Sequence, residues 1–181
     1  MASTGFYTKK PVNSVADLKG LKMRAYSPTT SRLAVLLDAT PTTVQTPEIP
    51  QAFSTGIIDA MVTSPSTGVS SQAWDFVSNY TDTQAWIPKN MVIVNAKSFK
   101  RLDKKTQDAV MEAAATAEKR GWEMAMAETE AKTKTLSEKG MKVAKPSAEL
   151  VKGLTAIGKT MGEEWAKDAG ETGAEILKAL K

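Results

Sequence analysis

The sequence predicts an α/β fold in which parallel strands are joined by crossover helices. Three observations carry that prediction. Short apolar strands alternate with capped helical runs up to Asp75, the helix starts carry hydroxyl residues next to prolines, and residues 103–138 contain no proline and one glycine. Strand–helix repetition at this spacing favours right-handed crossovers and a parallel sheet, and an uninterrupted run of that length favours one long helix.

The elements follow in order. Residues 1–13 read as a strand fragment or lead-in ending in "KKPV". Ser14 opens "SVAD", a capping pattern, and Gly20 closes the single helical turn. In "LKMRAY", Leu21, Met23 and Ala25 alternate with Lys22, Arg24 and Tyr26, which is strand periodicity. Pro28 with Thr29, Thr30 and Ser31 supplies a turn and N-cap for the apolar helix "RLAVLLDA". "PTTV" is a short strand, after which Thr46 reads as an N-cap with Pro47 at the first helical position. "EIPQAFST" is a short helix stopped by Gly56, and "IIDAMV" is a strand. Ser64 and Pro65 open a helical turn toward Trp74. "FVSNYTDTQAW" and "KNMVIVNA" read as two longer strands separated by Pro88. The long helix from Asp103 carries a stripe of Val110, Ala114, Ala117, Gly121 and Ala125, with Met111, Trp122 and Met126 in a neighbouring row. "MKVA" is an edge strand, and Ser147 to Lys181 form one or two helices.

Composition narrows the chemistry. The 181 residues, 41% of them apolar, suffice for one substantial core. The sequence has no histidine and no cysteine, which removes the commonest general base and metal ligand, thiol catalysis, Cys-ligated zinc and disulfides. No catalytic residue, metal site or cofactor is expected. The formal charge of +4 is scattered and aromatics are 6% of the chain, unlike the basic stripe of a nucleic-acid binder. No apolar run reaches membrane-spanning length, and the N-terminal residues show no secretory h-region.

In open parallel sheets, ligands collect beyond the carboxyl ends of strands. Three such ends are visible: Arg24–Tyr26, Val44–Thr46 and Val62–Ser64. Helix-start amides attract anions, and a guanidinium offers a two-point grip on a carboxylate. Arg24, Thr46, Thr63 and Ser64 therefore form a candidate small-anion site. Phosphate fits the electrostatics equally well, but no Gly-rich phosphate loop is present, so carboxylate is favoured. Each residue also has a plainer reading. Arg24 suits a solvated strand-end charge, Thr63 and Ser64 suit N-caps, and Asp59 suits a turn-stabilising carboxylate. Trp86 and Trp122 suit core or hinge packing, Met124 and Met126 core packing, and Lys104–Lys105 a solvated face.

The runs "KKPVNSVADLKGLKMRA", "DATPTTV", "PEIPQAFSTGIIDAMVTSP", "IPKNMVIVNAKSF" and "LDKKTQDAVMEAAATA" together resemble the substrate-binding proteins of TRAP (tripartite ATP-independent periplasmic) transporters, from about Lys9 to the C-terminus. The resemblance implies a periplasmic-binding-protein-like, two-lobed α/β fold, here mainly the second lobe with a parallel or mixed sheet plus a long bridging helix. It divides the chain into an α/β lobe (1–80), crossing strands (81–102), a bridging helix (103–140), and an edge strand with C-terminal helices (141–181). Arg24 falls on the arginine that grips the ligand carboxylate. Thr63 falls where an asparagine is common, Thr46 where an aromatic is common, and Ala60 where an Asp-Gly pair is common. These departures bear on ligand identity and leave the carboxylate anchor in place. Trp86 and Asn90, on either side of Pro88, complete the candidate ligand-binding set.

The resemblance implies capture of a small organic acid without chemistry, in the periplasm, for the transporter's membrane subunits. It also implies that a first-lobe portion and an export signal are not encoded here. Apolar surface left bare would then favour a homodimer or a domain-swapped oligomer. Two other classes compete: a ligand-sensing effector domain of a bacterial transcription regulator, which predicts an attached helix-turn-helix, and an enzyme using Asp59 or Glu48 with Lys22.

Overall fold

A computed structural model describes residues 4–86 and 91–179. One six-stranded mixed sheet has the order β3-β2-β4-β1-β5-β6. Its strands are β1 (Gly5–Thr8), β2 (Lys22–Ala25), β3 (Thr40–Thr43), β4 (Ala60–Thr63), β5 (Asn79–Thr81) and β6 (Lys142–Ala144). β2 pairs parallel with β3 and β4, and β5 with β6, whereas β1 lies antiparallel between β4 and β5. The N-terminal lead-in is thus a central strand. "GFYT" is too short to reveal that by periodicity, yet all four residues are buried.

Alternation along the inner strands sends side chains to two cores. Tyr7 of β1 and Met61 of β4 enter one with Phe53, Ile58, Tyr80 and Leu136. Phe6, Met23 and Val62 enter the other with Leu18, Leu33 and Leu150. β1 approaches β5 closely at Gly5. A Cβ there would collide with the Tyr80 ring and lie 2.5 Å from the Thr81 carbonyl oxygen. The outer strand β3 tolerates Pro41 because an edge position does not need every N–H.

The helices cover both faces: α1 (Pro28–Leu36), α2 (Ile49–Ser54), α3 (Pro65–Ser70), α4 (Ala96–Lys100), α5 (Lys104–Glu138) and α6 (Ala148–Ala179). α1 begins earlier than its apolar run suggests. Ser27 is the cap, its Oγ accepting from the Thr30 N–H at 3.1 Å, and Pro28 follows at the first helical position. Thr30 instead accepts from the backbone N–H groups of Tyr26 and Ser27, both at 3.0 Å. α6 is continuous up to a break at Gly170, where φ is +65°. A two-point ion pair ties it to α1: Arg32 Nε donates to Glu164 Oε2 at 2.8 Å and Nη2 to Oε1 at 2.5 Å.

α5, with 35 residues, is about 52 Å long and outruns the sheet. Its Leu136 is fully buried, but Met124 is exposed and Trp122 is 38% exposed. The expected core role of Met124 is therefore not met within this chain, and the Met126 side chain lies outside the described residues. α5 packs on α3 and β6. The two longer strands expected between Phe76 and Ala96 are also not found among the described residues. β5 is confined to Asn79–Thr81, residues 91–95 have no regular structure, and Ile93 is 85% exposed. A strand needs a hydrogen-bonded neighbour, and no described strand offers one to residues 91–95.

Two predictions follow from these contacts. Gly5→Ala destabilises the fold by about 1–3 kcal/mol through overpacking between β1 and β5, read as a lower denaturation midpoint at unchanged m-value; an unchanged midpoint refutes the close approach. Asp17 Oδ2 accepts from the Asn13 and Ser14 N–H groups, both at 2.8 Å, and these bonds hold its carboxyl below the ordinary value. A depressed folded-state pKa contributes stability above the unfolded value of about 3.9 that is lost as pH falls through the folded value. Asp17→Ala should cost no more than about 1 kcal/mol at neutral pH, and the gap to the parent should close on acidification below about 3.9. A gap independent of pH sinks this account.

Candidate functional site

The site forms where the sheet's connections part. The chain leaves β2 into α1, which packs with Leu33 against the core containing Phe6. It leaves the neighbouring β4 into α3, whose Val69 packs on the opposite core, the one containing Tyr7. Adjacent parallel strands whose helices depart to opposite faces open a crevice at their carboxyl ends. Arg24 sits on β2 at that crevice, opposite Thr42 of β3 and Met61 of β4.

Arg24 is 2% exposed, so it is not the solvated strand-end charge that its position alone suggests. Nε donates to the Val44 carbonyl at 2.9 Å, and Nη2 to Thr46 Oγ1 at 3.2 Å. The Tyr26 ring covers the guanidinium, its centroid 4.9 Å from Cζ. Burial pushes the arginine pKa down from its ordinary value, and Tyr26 opposes the shift. No carboxylate is ion-paired with Arg24 among the described residues. A buried charge is ordinarily paired. Here dipoles and a π-face hold it, and the cation remains uncancelled.

Thr46 is brought to Arg24, as the strand-end argument requires, but it is not the helix cap. Gln45 takes the cap position, its N–H donating to Glu48 Oε2 at 2.8 Å, and the Thr46 hydroxyl is used by the guanidinium. Thr63 ends β4, buried and paired with Gly5 of β1. Ser64 caps α3, its Oγ accepting from the Thr67 N–H at 3.3 Å, while its carbonyl accepts from the Tyr7 hydroxyl at 3.1 Å. The plainer reading of Ser64 is therefore satisfied. Trp86 is half-buried and packs against the Phe6 core. It also lines an apolar cavity of about 560 Å³ with Leu33, Leu154, Ile157 and Met161, which does not include Arg24. Asn90 lies outside the described residues.

Of the residues proposed for an enzyme, Glu48 lies in the turn after Thr46, its Oε2 accepting from the Gln45 N–H, whereas Lys22 and Asp59 are elsewhere and engaged with each other and with the backbone. Asp59 Oδ2 accepts from the Lys22 N–H at 3.2 Å, and Lys22 Nζ donates to the Gly56 carbonyl. These contacts lie at the amino ends of β2 and β4, away from the crevice. Tyr26 is the site residue that sequence reasoning missed. The signal was its position two residues after Arg24, on the same face of the strand.

A family model described as bacterial extracellular solute-binding protein, family 7, matches residues 3–168. The chain belongs to this family. Solved family structures superpose closely. An extracytoplasmic solute receptor of Bordetella pertussis, DctP7, described as binding pyroglutamic acid, shares 54% identity with a TM-score of 0.94, over 98% of this chain and 59% of its own. DctP6 of the same organism, likewise described as binding pyroglutamic acid, shares 42% identity with a TM-score of 0.95 over 98% and 59%. A TRAP solute-binding protein from an unidentified marine-metagenome microbe, solved with co-purified pyroglutamate, shares 32% identity with a TM-score of 0.93 over 98% and 58%. The chain thus spans a little under three fifths of these receptors. Its fold is that of one lobe of a TRAP solute-binding protein, as the sequence resemblance implies.

Proposed function

We propose that this chain is the arginine-bearing lobe of a periplasmic TRAP solute receptor that captures a small carboxylate and delivers it to the transporter's membrane subunits. The observation that carries the proposal is a buried guanidinium without a counter-carboxylate among the described residues, set at the crevice between β2 and β4. A ligand carboxylate supplies the missing charge, and the surrounding Thr46, Thr63 and Ser64 are neutral hydrogen-bonding groups. Pyroglutamate is the first ligand to test. It offers one carboxylate for Arg24 and a lactam for neutral partners, and solute receptors at 32–54% identity are described as binding it. Binding is capture without bond making. Ligand favours a closed pair of lobes only through contacts that exist in the closed state.

In a protein of the relatives' full length carrying this sequence, calorimetric titration should give saturable binding of pyroglutamate. Arg24→Ala should weaken it by about 2–5 kcal/mol, the cost of removing one partner of a desolvated charge pair. Arg24→Lys should fall between, because an ammonium cannot reproduce the planar fork. Affinity unaffected by Arg24→Ala refutes the anchor. Self-association belongs to the same reading: the 181-residue chain, with Met91 to Val94 exposed, should form a dimer or larger species, and light scattering that gives a clean monomer at high concentration refutes it.

A further inference from the structure

We propose that Tyr26 is the positioning residue of the anion site, holding the Arg24 guanidinium in one orientation through its ring face while leaving both the charge and the ligand-facing N–H groups free. The proposal rests on Arg24 being the carboxylate anchor.

A guanidinium has five N–H donors in one plane. The protein uses Nε–H on the Val44 carbonyl and one Nη2 N–H on Thr46 Oγ1. These two bonds occupy the side-on fork. What is left, among the described residues, is the end-on edge, made of Nη1 and the second Nη2 N–H, which is also a two-point match for a carboxylate. Two bonds along one edge do not fix the plane against rocking; a ring face set against the cation adds the third contact. The Tyr26 ring provides that face, 4.9 Å from Cζ.

A π-face suits this task better than a carboxylate does. An aspartate or glutamate at the same place would orient the guanidinium equally well, but it would neutralise the cation and occupy the edge a ligand needs. A ring attracts the cation through its quadrupole and takes no N–H. Tyr26 is itself anchored through its backbone, whose N–H donates to Thr30 Oγ1 at 3.0 Å in the first turn of α1. Burial raises the tyrosine pKa while Arg24 and Trp86 oppose the shift, so the ring is a neutral phenol across the physiological range.

The test reads Arg24 directly, in the ligand-free 181-residue chain, from the proton-exchange rate and chemical shift of its Nε–H by NMR, with the signal assigned through Arg24→Lys. Tyr26→Leu keeps bulk and removes the π-face; it should accelerate exchange about 3- to 30-fold, the range set by a cation–π contact, and move the signal. Tyr26→Ala should do the same. Tyr26→Phe keeps the face and loses the hydroxyl, and should stay within about 3-fold of the parent. An Arg24 Nε–H signal unchanged in folded Tyr26→Leu overturns the proposal, as does a change in Tyr26→Phe equal to that in Tyr26→Leu. A second arm measures pyroglutamate affinity in a protein of the relatives' length. Tyr26→Leu should weaken it about 3- to 30-fold, less than Arg24→Ala. If Arg24→Ala leaves affinity unchanged, the anchor reading fails, while the exchange arm still decides whether Tyr26 positions the guanidinium.

Discussion

One buried cation, without a counter-charge among the described residues, organises this lobe. Removing a guanidinium from water costs several kcal/mol unless its donors are met and its charge is compensated. Arg24 is met by a carbonyl, a hydroxyl and an aromatic face, which satisfy donors but do not cancel charge. That residual demand distinguishes a binding residue from a structural one. Arg32, by contrast, forms a two-point ion pair with Glu164, so its charge is already spent on holding α6 to α1.

The partners of Arg24 come from two stretches of chain, the residues after β3 and the residue after β2, and each is in place for a backbone reason. β3 runs level with β2, Ala25 opposite Thr43, so Val44 and Thr46 overshoot the sheet at the height of the guanidinium. Pro47 and the turn capped at Gln45 end that overshoot. Tyr26 follows β2 directly and is fastened by the start of α1. The antiparallel insertion of β1 matters too, since it places Gly5 beside Thr63 and seals the far side of β4 against solvent.

Much of this was legible because it is local. Capping residues and prolines marked α3 and the turn after β3, and an unbroken run without proline marked α5. Arg24 stood out because strand ends are where ligands meet open sheets. What escaped depends on partners distant in sequence. Nothing in "GFYT" says that it pairs with residues near 61 and 80, and a four-residue strand is too short for a period to declare itself. The caps shifted by a few residues, Ser27 replacing the Thr29–Ser31 cluster and Gln45 replacing Thr46, because the hydroxyls of Thr30 and Thr46 were claimed by other donors. The Tyr26 contact was visible in principle as an i, i+2 pair, but only a folded strand end shows that the ring lies over the guanidinium.

The exposed apolar residues between Met91 and Val94 and along the first part of α5 share one explanation with the shortfall in strands. "MVIV" has the composition of a buried strand, and periodicity assigned it one; a sheet residue lacking a neighbouring strand has no ladder to join. Helix α5 carries Val110, Met111 and Met124 outward for the same reason: the sheet on which Leu136 packs ends before them. Sequence pattern records the surfaces a residue is suited to meet, whereas the fold records those it does meet within the chain. Where the two agree, as around Met61 and Val62 of β4, both fully buried, the lobe is self-sufficient. Where they part, between Met91 and Met124, the pattern points to packing that the described residues do not supply, in a chain that spans less than three fifths of its relatives' length.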